Sequence, residues 1–367
     1  MKTVHLIAAA RPNFMKVAPL WHALRASGEF EPRLIHTGQH YDPNLSDAIF
    51  ADLSLPQPDF HLGVGSGSHA TQTGNVMIGY EKIAIEHRPD WLVVVGDVNS
   101  TLACALVGAK LRVPTVHLEA GLRSGDRDMP EEINRLATDV IADVLWTPSP
   151  DADANLLAEG IPGTRITRVG NIMLDSFEMV RPEVEAAAEW EAQGVQRGTY
   201  GVVTLHRPSN VDGADRLEAL VAALIGLQRR IPLVFPVHPR TAARLAESGM
   251  VARLAQAGVR LAEPLPYKRF MSLVLGSRIV ITDSGGIQEE TTYLGIPCCT
   301  LRNNTERPIT ISQGTNRLVT LATLDRAVDE ATGQQYQPRR PEYWDGQTAA
   351  RCVADLNARS YPVGSKE

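Results

Sequence analysis

Short apolar runs rich in Val and Ile recur along the chain: TVHLIAA (3–9), RLIHTG (33–38), WLVVVGD (91–97), TVHLEA (115–120), YGVVTLH (200–206), PLVFPVH (232–238), RIVITD (278–283) and IPCCTL (296–301). They are nearly continuous rather than alternating, which predicts strands buried on both faces, as in parallel sheets. Amphipathic helices are predicted between them, at 15–27, 71–87, 131–144, 213–230 and 241–257. In the second of these, Met77, Tyr80, Ile83 and Ile85 define the expected apolar face. This β–α alternation predicts a doubly wound α/β architecture. After the strand-like RITRV, the stretch VGNIMLD (169–175) opens a long charged helix, and a fresh β–α series starts at Tyr200. Two Rossmann-like domains are therefore expected, one over 1–172, completed by a C-terminal helix at about 345–367, and one over 173–344.

In open α/β sheets ligands bind beyond the carboxyl ends of the strands. The residues just after the apolar runs are polar here: Arg11-Pro12-Asn13 with Lys16, then Asp97, Glu119, His206-Arg207, His238 and Asp283-Ser284-Gly285-Gly286. The last of these turns into a helix carrying Glu289 and Glu290. A strand, a glycine turn and a helix N-terminus gather unpaired N–H groups and suit a phosphate. Two carboxylates in that first turn oppose one unless they have other partners. The stretch DMPEEINR adds Glu131, Glu132, Asn134 and Arg135 at another helix start. Singly, each has a plainer reading: Asp97 and Glu119 as strand-end caps, Glu131 and Arg135 as an i,i+4 surface pair.

With 44% hydrophobic residues in 367, the chain can fill two cores, and its net charge of −6 argues against nucleic acid or an anionic membrane as the main partner. Any anion site must then be local. No stretch reaches membrane-spanning length and the N-terminus has no small-residue cleavage pattern, so a cytoplasmic location is expected. Cys104, Cys298, Cys299 and Cys352 form no CxxC pair and lie in apolar contexts, predicting buried thiols rather than disulfides or a metal site. No GxxxxGK, GxSxG or HExxH occurs, and GVGSGSH (63–69) has Ser68 where a dinucleotide fingerprint needs its third glycine. It reads as a loop. No nicotinamide or other cofactor is expected.

The segments ARPNFMK, TGQH, GDVNST, HLEAGLRSGDRDMPEEINR, TLHRPSN, PVHPR, TDSGGIQEE and NNTERP together resemble, in order and over most of the chain, the non-hydrolysing UDP-N-acetylglucosamine 2-epimerases. The resemblance implies a GT-B-like pair of Rossmann-type, doubly wound parallel-sheet domains facing a central cleft, and a homodimer. It assigns the diphosphate to Ser284, Gly285 and Gly286, the ribose hydroxyls to Glu290, and further UDP contacts to Arg11 and Arg307. His206 is implied at both diphosphate and reacting sugar. Lys16, Asp97, Glu119, Glu131 and Arg135 match the catalytic cluster, and Glu289 is left a structural residue.

The chemistry is consistent with that set. The C2–H of the sugar is not acidic, so inversion there requires the anomeric C–O bond to break as a carboxylate takes the proton, giving a glycal to which UDP re-adds. This needs cations for the departing diphosphate and carboxylates as acid and base. HRPSN (206–210), and Tyr41-Asp42 after TGQH, differ from members activated by a second substrate molecule, which argues against such activation. A related UDP-diacetamido sugar or uronic acid is an alternative substrate. A GT-B glycosyltransferase, a hydrolysing epimerase and a non-catalytic nucleotide-sugar sensor are the competing classes.

Overall fold

A computed structural model describes residues 1–9, 11–38, 50, 53–333 and 337–359, the side chain of Arg11 excepted. Gln39 to Asp42, and the end of the predicted C-terminal helix beyond 359, lie outside the described residues. The chain divides into two compact units, Met1–Met179 with the segment from Glu342, and Val180–Pro341. Among the described residues no helix is long and apolar enough to cross a membrane.

The first unit is a seven-stranded sheet in the order β3-β2-β1-β4-β5-β6-β7. Its strands are β1 (Lys2–Ala8), β2 (Phe30–His36), β3 (Phe60–His61), β4 (Trp91–Val95), β5 (Thr115–Leu118), β6 (Val144–Thr147) and β7 (Ile166–Arg168). All neighbours are parallel, with β1 between β2 and β4. The continuous apolar runs follow from burial on both faces. Leu6, Val93, Val116 and Trp146 pack on one side with residues of α1 (Arg11–Ser27) and of the C-terminal helix Thr348–Ala358. Ile7, Leu92 and Val94 pack on the other, against α2 (His69–Glu86) and α3 (Asn99–Lys110). Each such fully buried aliphatic side chain contributes roughly 1.5–3 kcal/mol. Further helices are α4 (Pro130–Ile141), α5 (Pro150–Ala158) and α6 (Ile172–Ala187), the last containing the boundary between units. Buried Asp175 of α6 accepts the Thr348 and Ala349 N–H groups, capping the C-terminal helix from outside its own sequence.

The second unit has the order β10-β9-β8-β11-β12-β13. Its strands are β8 (Gly201–Thr204), β9 (Leu233–Pro236), β10 (Arg260–Ala262), β11 (Ile279–Thr282), β12 (Cys298–Thr300) and β13 (Asn316–Leu318), again all parallel. Val203, Phe235, Ile281 and Cys299 form one core with Leu220 and Leu224 of α7 (Ala214–Gln228) and Leu324 of the helix Leu321–Thr332. All four cysteines are buried and free.

Two expectations need correction. The helix predicted at 241–257 is two, α8 (Pro239–Glu247) and α9 (Met250–Gln256), because Gly249 takes φ +68° and turns the chain between them. The buried face of α2 is Gln72, Val76, Tyr80 and Ala84, whereas Ile85 is exposed. GVGSGS (63–68) runs as a loop between the edge strand β3 and α2, and His69 opens the helix.

Candidate active site

Strand order fixes where ligands can sit. In the first unit the connections leave β1 and β4 in opposite directions, which opens a crevice at the carboxyl ends of these two strands. In the second unit β8 and β11 form the equivalent switch point. The polar residues singled out in the sequence collect at these two places.

In the first unit, Asn13 near the start of α1 accepts from Ala9 N and donates to Val95 O at 3.2 Å, tying α1 to the end of β4. One turn on, Lys16 Nζ forms an ion pair with Glu119 Oε2, both side chains largely buried. Pro19 within α1 has no N–H to offer Met15 O, four residues back, and Ser176 Oγ donates to that carbonyl instead. Gly96 turns the chain after β4 at φ +69°, and a Cβ there would lie 3.3 Å from Lys16 Nζ and 3.6 Å from Glu119 Oε2. Glu119 itself has φ +74°, a left-handed conformation that costs a non-glycine residue about 1–3 kcal/mol. Its N–H and that of Ala120 both donate to Trp146 O at 3.1 Å, which holds the turn.

Asp97 pairs with Arg135 Nη1, and Arg135 also reaches Glu132 Oε2 from Nε at 2.9 Å and from Nη2 at 2.6 Å. Arg135 is thus a buried bridge from α4 rather than one half of a surface pair. Burial would raise the Glu132 carboxyl, yet the Ser124 and Gly125 N–H groups and Arg135 hold it below the usual carboxylate range. Glu131, one residue earlier, is exposed in the first turn of α4. The structure therefore brings Lys16, Asp97, Glu119 and Arg135 together at the β1/β4 ends, with Glu131 on the rim of the same helix start. Arg11 opens α1.

In the second unit, fully buried Asp283 follows β11 and accepts from His206 N at 3.1 Å, Arg207 N at 2.9 Å and Asn210 Nδ2 at 3.1 Å. It also lies 2.9 Å from His206 Nδ1. Burial pushes the Asp283 carboxyl up, but these donors, the His206 side chain foremost, carry it below its ordinary value. His206 is thereby held through Nδ1, while 39% of its side chain stays exposed and His238 lies 5.4 Å away, ring to ring. Arg207 Nε donates to Asp283 O at 2.9 Å, and burial together with the nearby Arg302 and Arg307 lowers its pKa, the mark of crowded cations.

Ser284 is the N-cap of α10 (Gly285–Leu294), in extended conformation and with no capping bond from its own side chain. A Cβ on Gly286 would meet nothing within 4 Å, and one on Gly285 would come 3.8 Å from Arg307 Nη1, so Arg307 flanks the glycine turn. The two carboxylates behind that turn have partners. Glu289 pairs with Arg307 Nε at 2.8 Å. Glu290 is buried and accepts from Tyr267 Oη at 2.7 Å; burial, against the effect of that bond, pushes its pKa up to about 7. Neither therefore stands as an unopposed negative charge beside the helix N-terminus.

Sequence reasoning named Glu132 without giving it a role and passed over His117, Asp139 and Tyr267, and each of the four closes a contact in these two clusters. His117 had a signal, a polar residue inside an apolar run; the others become visible only through their partners.

The profile of the UDP-N-acetylglucosamine 2-epimerase family matches residues 22–357. The UDP-N-acetylglucosamine 2-epimerase of Methanocaldococcus jannaschii is 38% identical over 97% of this chain and 99% of its own length. A crystal structure of the enzyme from that organism, in complex with UDP-GlcNAc and UDP, superposes with a TM-score of 0.83 over 97% of this chain and 100% of that one, at 37% identity. The UDP-2,3-diacetamido-2,3-dideoxy-D-glucuronate 2-epimerase of Pseudomonas aeruginosa is 36% identical over 95% of this chain and 98% of its own.

Proposed function

We propose that this chain, which belongs to the UDP-N-acetylglucosamine 2-epimerase family, interconverts UDP-N-acetylglucosamine and UDP-N-acetylmannosamine by inverting C2 while retaining the UDP linkage. The GT-B-like pair of Rossmann-type units is the scaffold. The observation that carries the reading is the pairing of Asp97 with Arg135 and of Glu119 with Lys16 at one switch point, two carboxylates each set beside a cation.

The proposed reaction is elimination and re-addition. A carboxylate among Asp97, Glu119 and Glu131 takes the C2 proton as the C1–O bond breaks, and the bonding pair leaves with UDP. The products of that half-reaction are UDP and a 2-acetamidoglycal. Protonation of C2 from the opposite face and return of UDP to C1 complete the inversion. Departure of UDP places charge on its diphosphate, which Arg11, His206, Arg307 and the Ser284-Gly285-Gly286 amides are proposed to stabilise, with Glu290 accepting from the ribose hydroxyls. Lys16 and Arg135 orient the carboxylates.

The 36% identity to the diacetamido-glucuronate epimerase favours a second reading, the same reaction on a UDP-diacetamido uronic acid. The product would enter cell-surface polysaccharide synthesis from the cytoplasm. We also propose that the chain self-associates as a homodimer, as its family resemblance implies. A particle mass of about twice the 40.0 kDa of one chain in light scattering is the expected result.

Incubation with UDP-N-acetylglucosamine in D2O, followed by proton NMR, tests the function. Deuterium at C2 with UDP still attached supports it. Free N-acetylmannosamine means a hydrolysing enzyme, transfer to an added acceptor means a glycosyltransferase, and binding without exchange means a sensor.

A further inference from the structure

β5 carries His117, without exposed surface, two residues before Glu119. Its Nε2 donates to Gly96 O at 2.8 Å, and its Nδ1 lies 2.6 Å from Asp139 Oδ1. The Gly96 carbonyl has no proton to give. Asp139, fully buried, already accepts from Gly121 N at 3.0 Å and pairs with Arg123 Nη1 at 2.8 Å. Burial would raise the Asp139 carboxyl, but His117 and Arg123 hold it below its ordinary value, so it is an acceptor as well. Both ring nitrogens of His117 thus face acceptors, and Nε2 holds the Gly96 carbonyl. Arg123 continues the chain of charges to Glu159, at 2.7 Å from both Nε and Nη2.

A histidine–aspartate pair in a core commonly does no more than satisfy itself. This one grips the two segments that carry the proposed acid–base groups. The carbonyl that His117 holds belongs to the peptide joining Gly96 to Asp97, in a turn packed so closely on the Lys16–Glu119 pair that a Cβ at Gly96 would lie 3.3 Å from Lys16 Nζ. Asp139 takes His117 on one side of Glu119 and the Gly121 N–H on the other, bracketing the residue whose backbone sits at φ +74°.

We propose that His117, oriented by Asp139, is a positioning residue for the epimerisation, fixing the Gly96–Asp97 peptide and with it the placement of the Asp97 carboxylate relative to Lys16 and Glu119. The inference rests on the acid–base assignment made above. Two substitutions separate it from simple packing. The amide nitrogen of Gln falls about where Nε2 stood and that of Asn about where Nδ1 stood, so His117→Gln keeps the donor to Gly96 O and His117→Asn loses it. Misplacing a reacting group by about 1 Å costs on the order of 100-fold in rate. The expected result is therefore a kcat about 100-fold lower for His117→Asn but within about 10-fold of wild type for His117→Gln, with KM and UDP affinity unchanged in both. Equal losses in the two, or losses that follow melting temperature instead of the donor to Gly96, overturn the role. If His117→Asn does not fold, Asp139→Asn decides: kcat about 10-fold lower at unchanged KM supports the role, and a wild-type kcat overturns it. Asp97→Asn, run alongside, keeps the two readings apart. An inactive Asp97→Asn with a fully active His117→Asn overturns positioning alone, whereas an active Asp97→Asn overturns the acid–base assignment and positioning with it.

Discussion

The two units bring polar residues to the same topological place, the switch point of a parallel sheet, and treat charge there in opposite ways. At the β1/β4 ends acids and cations are matched: Glu119 with Lys16, Asp97 and Glu132 with Arg135, Asp139 with Arg123. At the β8/β11 ends the acids are turned inward. Asp283 binds backbone N–H groups and Nδ1 of His206, Glu289 takes Arg307, and Glu290 is pushed towards neutrality by burial, leaving the His206 ring and a glycine-lined helix N-terminus facing outward. A matched, rigid net suits proton transfer, because groups already in place need not reorganise as the proton moves. A positive rim with its acids hidden suits an anion that must leave and come back.

Removing one acid from the matched net is the severest way to break this contrast. Asp97→Asn is expected to lower kcat by about 10²- to 10⁴-fold, the usual worth of a positioned proton acceptor, while UDP titrations stay unchanged. Near wild-type turnover would take Asp97 out of the chemistry. Glu131 and Glu132 sharpen the same point, since neighbours in sequence face different surroundings. Glu131→Gln should lose most turnover at unchanged melting temperature. Glu132→Gln, which weakens the buried acceptor of Ser124 N, Gly125 N and Arg135, should cost about 1–3 kcal/mol in denaturant unfolding. Reversed results would exchange the roles of the two.

In the second unit stability and function should part company. Ser284→Asp supplies a good N-cap, worth up to about 1 kcal/mol to the helix, and puts a carboxylate where the phosphate is proposed to sit. Calorimetry should therefore show UDP affinity falling by about 100-fold or more, roughly 2.7 kcal/mol, with no loss of melting temperature. Unchanged affinity would move the diphosphate elsewhere.

Glu290 gives a milder, pH-dependent effect. Its carboxyl is raised from 4.5 to about 7 in the fold, so between those values the folded state binds more protons than the unfolded one. Its contribution to stability is then fully present below about 4.5 and is lost as pH rises through about 7. The ribose hydroxyls proposed to bind there would donate to the ionised form, so UDP affinity should weaken as pH falls from 8 towards 6, by at most about tenfold per pH unit. Glu290→Gln should bind UDP more weakly at pH 8, lose that dependence and yet melt higher there. A mutant with the wild-type pH profile would remove Glu290 from the ribose site.

What the sequence made legible follows from the range of the forces involved. Strands buried on both faces announce themselves as apolar runs, and residues just beyond them fall at the switch points once strand order is known; Asp97, Glu119, His206 and Ser284 were found in this way. β10 and β13 are three residues long and partly polar, Arg260–Ala262 and Asn316–Leu318, with no apolar run around them like the IPCCTL that marks the equally short β12. α3 has no polar stripe, since much of it is buried, so it has no amphipathic period to read. The break at Gly249 is a single backbone angle within an otherwise helical stretch. The partners that tune the site, such as Tyr267 for Glu290 or Asp139 for His117, lie more than 20 residues away along the chain and are set by packing alone.

The smallest expected effect tests how far the rigidity of the first unit reaches. Ser176 Oγ supplies the bond that Pro19 denies to Met15 O, one residue before Lys16, so it moors the helix that carries the proposed partner of Glu119. Ser176→Ala should cost about 1 kcal/mol of stability by leaving a part-buried carbonyl without its donor. Pro19→Ala restores the N–H at position 19, and with it the intrahelical bond to Met15 O, so the same Ser176→Ala change in that background should cost much less. If the mooring matters to chemistry, kcat will follow the same cycle, falling a few-fold in Ser176→Ala and recovering in the double mutant. Additive losses in stability would show that Ser176 acts through packing rather than through this carbonyl. Losses in stability with an unmoved kcat would confine the matched network to the contacts around Gly96.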